Sequence, residues 1–320
     1  MRRTNSIRIS TLVTAGTLVL ATSACGGQGL GDTSGTSSSG GTVVLDKAPA
    51  EDKAAAVINA INPDEALTAK VPPQIKTKGL KMTTSPGYPP MELFASDGKT
   101  LIGLDPSLGR AIARKLGVKI SIANEDFNAQ IPGIVTGRYD ILMSSMTDNA
   151  GRQAKVSFVD YVQAGAGFIV KKGNPNSTKS PTDLCGKTVS VVDNGSSLDL
   201  AKTYNADCTK GGKPAVNILK YTGDQDAMLQ VKSGRAQVNI TDYVVAAYKA
   251  ADSKNDVEAI AIKGTESPWG IAMNPNNKDL ISSVQGALDA LIKSGEYQKV
   301  LDAWNLGRLT VPSAVVNGGK

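Results

Sequence analysis

The stretch Ser144-Ser145-Met146-Thr147-Asp148-Asn149-Ala150-Gly151-Arg152 gathers hydroxyls and one guanidinium on a short run of chain. The guanidinium of Arg152 is a planar fork of five donors, suited to gripping a carboxylate through two bonds. Ser145 and Thr147 bring hydroxyls that donate or accept. Far downstream, Asp242 carries the opposite charge and can accept from a cationic amine. Gly195-Ser196-Ser197, just ahead of Leu198-Asp199-Leu200, reads as a helix start whose free N–H groups attract an anion. Each of these also has a purely structural reading. Arg152, in the run Arg152-Gln153-Ala154-Lys155, suits a solvated helix face. Thr147 and Asp242 suit helix N-caps, and the Gly195 turn suits an ordinary capped start. Tyr88 and Phe127, taken singly, suit a core.

The chain has no histidine. That removes Ser-His-Asp and Cys-His catalysis and the commonest metal ligand, so no metal and no cofactor is expected. An enzyme would have to work with carboxylates, Lys, Tyr or Ser alone. The net charge is +6, three of the positive charges are Arg2, Arg3 and Arg8, and no dense basic stripe is interleaved with aromatics. Nucleic acid is not an expected partner.

Those three arginines open a leader. An uncharged apolar run follows over residues 9–21, then Thr22, Ser23 and Ala24 precede Cys25. This is the layout of an exported protein, with residues 1–24 as a signal peptide too short to span a bilayer comfortably. Cys25 after small residues resembles a lipobox, in which the thiol is acylated, although Leu is commoner where Thr22 stands. Residues 25–47 read as the lipidated Cys and a flexible Gly/Ser tether. No later stretch reaches eighteen apolar residues. Cys185 and Cys208 are then an even pair in an exported chain, and a disulfide is expected.

To position the polar groups, the remaining chain alternates strands with helices. A helical extension is expected over 48–75, with helix at 51–61 and a helical turn at 64–69, until Val71-Pro72-Pro73 breaks any helix. Strands are expected at 80–84, 118–122, 139–143, 168–171, 188–192 and 237–240. Helices are expected at 107–116, 227–232, 243–251, 278–291 and 296–304. Asp105-Pro106 reads as N-cap and first helical residue, and Gly117 as a left-handed cap. The alternation predicts an α/β protein with mainly parallel sheets.

Several stations occur in a telling order. They are Tyr88-Pro89-Pro90-Met91-Glu92-Leu93, Gly103-Leu104-Asp105, Asp126-Phe127 before Ile131-Pro132-Gly133-Ile134, and Gly137-Arg138-Tyr139-Asp140-Ile141. Ser144-Ser145-Met146-Thr147 with Arg152, Gly186-Lys187-Thr188-Val189, Thr241-Asp242, Trp269-Gly270-Ile271-Ala272 and Gly295-Glu296-Tyr297 follow. Over about residues 71–306 the chain resembles the amino-acid-type extracellular solute-binding proteins, family 3, of bacterial ABC importers. Phe158-Val159-Asp160-Tyr161 departs from the family's approach to the hinge, lacking its Ser and Pro.

The resemblance implies a two-lobed periplasmic-binding-protein-like fold with a two-segment hinge. Lobe one would comprise 76–164 and 268–320, and 165–267 would form lobe two with the hinge crossings. It implies that Arg152, Thr147, Ser145, Gly195 and Ser196 hold the ligand's carboxylate and that Asp242 holds its amine. Tyr88, Phe127 and Ser85 would line the side-chain pocket, although many members carry Asp where Ser85 stands. The implied partners are a free amino acid, an ABC permease with its ATPase, and a lipid anchor in the outer face of the cell membrane. A monomer is expected. The alternatives are a ligand-sensing lipoprotein not coupled to import, and a cleft dehydratase of the same fold, for which Glu92 and Glu125 are the available acids.

Overall fold

The computed structural model describes residues 45–320. The predicted leader, Cys25 and most of the Gly/Ser segment lie outside the described residues. Three six-residue helices come first, α1 (Ala55–Ala60), α2 (Glu65–Lys70) and α3 (Pro73–Lys78). Asp64 caps α2 by accepting from the Leu67 N–H at 3.1 Å. The Val71-Pro72-Pro73 run ends α2 as expected but does not end helix altogether. Pro73 opens α3, because a first-turn residue has no intrahelical use for the N–H that proline lacks.

The first lobe contains β1 (Leu80–Thr84), a hairpin of β2 (Leu93–Phe94) and β3 (Leu101–Ile102), α4 (Leu104–Lys115) and β4 (Ile120–Asn124). It continues through α5 (Phe127–Val135), β5 (Ile141–Leu142), α6 (Ala150–Gln153) and β6 (Ser157–Ala164). The second lobe is β7 (Ala166–Lys171), β8 (Thr188–Val192), α7 (Ser196–Lys210), β9 (Asn217–Tyr221), α8 (Asp224–Lys232), β10 (Val238–Asp242), α9 (Tyr243–Ala251) and β11 (Val257–Ala261). The chain then returns to the first lobe through β12 (Ser267–Met273), α10 (Lys278–Ser294) and α11 (Glu296–Ala303). The sheet orders are β4-β1-β5-β12-β6 and β11-β7-β10-β8-β9.

The sheets are mixed rather than mainly parallel. Strands β4, β1 and β5 run parallel, as do β10, β8 and β9. The strands beside them are antiparallel for a topological reason. Strand β6 carries the chain out of the first lobe and β12 brings it back, so they pair in opposite directions. Strands β7 and β11 do the same in the second lobe. The crossings lie at Gly165 and over residues 262–266, and the Thr265 hydroxyl accepts from the Ala166 N–H at 2.9 Å.

Burial explains the helix seams. Helix α4 buries Leu104, Leu108, Ala111 and Ile112 against the first sheet. It starts before the predicted position. Gly103 is the N-cap at φ 125°, and Asp105 is a buried helical residue rather than a cap. A Cβ at Gly103 would overlap the Met91 carbonyl, so only glycine lets the chain enter the helix there. Asp105 turns inward instead and accepts from the Ser145 N–H and the Tyr161 hydroxyl, each at 2.7 Å. Gly117 ends this segment at φ 68°, the left-handed cap expected. Cys185 and Cys208 are joined in a disulfide that ties the loop before β8 to the last turn of α7.

Candidate functional site

A cleft of about 220 Å³ lies between the lobes. Its first-lobe wall includes Ser85, Tyr88, Phe127, Ser145, Thr147 and Arg152. Its second-lobe wall includes Gly195, Ser196 and Asp242. Every residue expected in the ligand pocket therefore meets in one space.

Arg152 rides on α6, whose start is capped by the Asn149 side chain accepting from the Arg152 N–H at 3.0 Å. Thr147 is thus not the cap. The guanidinium sits 5.6 Å from the centre of the Phe127 ring. One Nη donates to the Thr147 carbonyl at 2.8 Å and the other to the Asn194 carbonyl, across the cleft, at 3.0 Å. It forms no ion pair among the described residues. Burial pushes its pKa below the ordinary value, while the fields of Asp199, Asp242 and Asp148 oppose that shift. Arg152 stays charged, so the cleft holds a cation that no side-chain carboxylate neutralises by contact.

Asp242 closes β10 at the N-cap position of α9, yet its side chain makes no capping bond. The carboxylate faces the other lobe and accepts from the Tyr88 hydroxyl at 2.6 Å. Burial pushes Asp242 up to about 7. The Tyr88 hydrogen bond pulls it down, the Asp224 carboxylate raises it and Arg152 lowers it. Burial, with Asp242 and Asp224 close by, likewise holds the Tyr88 phenol well above its usual value.

Gly195 is the N-cap of the fifteen-residue α7 and has no side chain to block the helix end. The Ser196 hydroxyl accepts from Thr147 Oγ1 at 3.1 Å, a second contact across the cleft. Ser145, at φ 50°, is held differently. Its N–H is taken by Asp105, and its hydroxyl lies 3.3 Å from Glu92 and 3.2 Å from Asp105. Its donors point into the lobe. The Ser85 N–H is likewise taken, by the Ser144 hydroxyl at 3.0 Å.

The two acids considered for chemistry part company. Glu125 accepts from Arg138 at 2.7 Å and Tyr139 at 2.9 Å, and does not line the cleft. Glu92 does line it, fully buried, with Ser144 donating to it at 3.1 Å. Burial and the neighbouring Asp105 hold Glu92 well above the usual carboxylate range, and Asp105 itself is pushed by burial up to about 6.

Sequence reading missed the contribution of α8. Asp224, Gln225 and Asp226 line the cleft, and Asp224 is buried in an ion pair with Lys249 of α9. Acids in a helix's first turn are ordinary, so Asp224 and Asp226 carried no distinguishing signal. Only the apolar Val244, Val245 and Ala246 around it could have hinted that Lys249 is buried.

The profile of the bacterial extracellular solute-binding proteins, family 3, matches residues 80–307. The chain belongs to that family. It is 29% identical over 258 residues to an arginine-binding protein, ArgT, of Corynebacterium glutamicum, covering 80% of this chain and 84% of the relative. Among solved structures it is similar to an ancestral arginine-binding protein bound to arginine. That match has 33% identity and a TM-score of 0.65, over 70% of this chain and 97% of the other. It is also similar to an ancestral amino acid-binding protein described as a precursor of cyclohexadienyl dehydratase, at 31% identity and a TM-score of 0.64, over 72% and 97%. Like the rest of the family, the chain is a solute-binding protein of two α/β lobes. Among the described residues no helix is long and apolar enough to cross a membrane.

Proposed function

We propose that the protein captures a free α-amino acid in the interlobe cleft and delivers it to an ABC permease and its ATPase. The carrying observation is a guanidinium and a carboxyl group of opposite character set across one cleft. Among the described residues neither Arg152 nor Asp242 forms an ion pair, Asp242 makes no capping bond, and they face the cleft from different lobes. A zwitterion presents the complementary pair. Arg152 grips the α-carboxylate bidentately, Thr147 and Ser196 add hydroxyl donors, and the open start of α7 at Gly195 adds backbone N–H groups. Asp242 accepts from the α-ammonium group. Ser145, its donors already engaged, holds the loop shape. Tyr88, Phe127 and Ser85 border the ligand's side chain. The relatives named for arginine make arginine the first ligand to test. Asp224 and Asp226 offer acidic groups on the opposite wall from the neutral Ser85.

Binding and release with no bond made or broken accounts for every group described except Glu92. A buried acid in the cleft is the one observation favouring a dehydratase, and no product is expected from a substrate such as arogenate. Acylation of Cys25 would keep the protein at the outer face of the cell membrane.

The test is a thermal-shift panel of free amino acids against the chain from residue 45. A ligand selective for the folded state raises the midpoint. Silence across the panel, with a clear response to a sugar or a metal ion, would overturn the proposal.

A further inference from the structure

The family match ends at residue 307, but the chain goes on across the first lobe to the back of the loop bearing Thr147 and Arg152. Residues 315–317 lie antiparallel beside β6. The Asp160 N–H donates to the Val315 carbonyl at 2.8 Å and the Asn317 N–H to the Phe158 carbonyl at 3.1 Å. The Asn317 side chain accepts from the Phe158 N–H at 2.8 Å. Two glycines then reach two buried carboxylates. The Gly318 N–H donates to Asp160 at 3.1 Å and the Gly319 N–H to Asp148 at 2.8 Å. Gln153 closes the arrangement, its amide donating to Asp148 at 2.8 Å and to the Gly319 carbonyl at 3.0 Å.

Asp148 has no exposed surface and Asp160 is 4% exposed. A buried carboxylate needs donors, and the two recorded for Asp148 come from the tail and from Gln153. Asp148 stands between Thr147 and Asn149, the residue that caps the helix carrying Arg152. Contact this close requires glycine, because a Cβ on Gly319 would overlap the Asp148 carbonyl. Burial, and then the field of Asp148, pushes Asp160 up to about 7, with the Gly318 N–H opposing.

We propose that residues 315–319 are a strap holding the loop 144–152 in its ligand-ready shape, with Gly318 and Gly319 as positioning residues for Thr147 and Arg152. Its effect on affinity rests on the amino-acid reading above. Its effect on the loop does not. Without the strap Asp148 keeps a single donor and swings toward water, taking the turn before α6 with it. Arg152 and Thr147 then lose the fixed geometry that makes binding strong.

Gly319→Ala, and a chain ending at residue 314, test this in the otherwise intact protein by two readouts. Amide hydrogen exchange without ligand is expected to quicken over residues 144–153 while β1 and α7 stay as protected as before. Calorimetric affinity for L-arginine is expected to fall about ten-fold in Gly319→Ala, the scale of one charge-assisted hydrogen bond. Unchanged loop exchange in both variants would overturn the strap, as would exchange that quickens evenly throughout the lobe. If the wild-type chain binds no arginine, the exchange result still decides the strap, and the failure counts against arginine as the ligand.

Discussion

At the scale of single residues, two side chains whose sequence context suits helix N-caps make no capping bond. Asn149, not Thr147, caps α6, and Asp242 stands at a helix start without bonding to it. A group left out of its local structural duty is available for a ligand. Arg152→Ala is therefore expected to abolish amino acid binding, with a melting point within a few degrees of wild type, as calorimetry and thermal denaturation would read. Arg152→Lys is expected to lose most of the affinity too, since an ammonium cannot reproduce the two-pronged grip.

Asp242 adds a pH dependence. Its carboxyl is held up to about 7, chiefly by burial, and in the proposed role it would have to be ionised to hold a ligand's amine. Affinity is expected to rise from pH 6 to pH 8, with proton release on binding near pH 6.5. Calorimetry in buffers of different ionisation enthalpy measures that release. The groups acting on Asp242 are Tyr88 and Arg152 from one lobe and Asp224 from the other, with Asp224 itself paired to Lys249. The stability sign follows from the raised value. Ionising a group that the fold holds neutral weakens the ligand-free fold as pH climbs from the unfolded carboxylate range through about 7. Asp242→Asn removes that loss along with binding.

At the scale of elements, local patterning was most informative where one face is apolar or a strand is wholly buried. Strands β1 and β8 and helix α9 have the bounds their residues imply. Helix α5 was not expected, because Pro132 and Gly133 lie inside it. Gly133 is there because the Tyr139 ring packs against it, with 2.8 Å left for a Cβ, and no local pattern reports such a neighbour. Strand β6 has no signature of its own, since its residues show no alternation, and only the family resemblance of residues 158–161 marks it as an approach to the hinge. The cleft residues of α8 were hidden for a related reason. Their meaning comes from the opposite lobe, and a first-turn Asp looks the same with or without it. The disulfide was legible from cysteine count and export alone. Replacing Cys185 and Cys208 by serine is expected to cost about 3 kcal/mol, from the loop entropy restored to the unfolded chain. Denaturant unfolding would read it, and ligand affinity is expected to hold, because neither cysteine lines the cleft.

At the scale of the whole molecule, the crossings at Gly165 and residues 262–266 are the segments that join the lobes, and they are where a hinge rotation is expected. The structure is a closed form. Tyr88 reaches Asp242, Arg152 reaches the Asn194 carbonyl, Thr147 reaches Ser196 and Asn194 reaches Asn128 at 3.2 Å, all from one lobe to the other. Removing one such tie while sparing both charged groups, as in Asn128→Ala, is expected to enlarge the ligand-free radius of gyration in small-angle scattering and leave the ligand-bound value unchanged.

The Tyr88 hydroxyl already rests on the acid that a guest's amine would claim, and a main-chain carbonyl already occupies one prong of the arginine. A newcomer must displace both. It must wait until the host lets go of itself. In stopped-flow mixing, capture is expected to level off at a ceiling as solute is increased, and that ceiling measures how often the mouth opens.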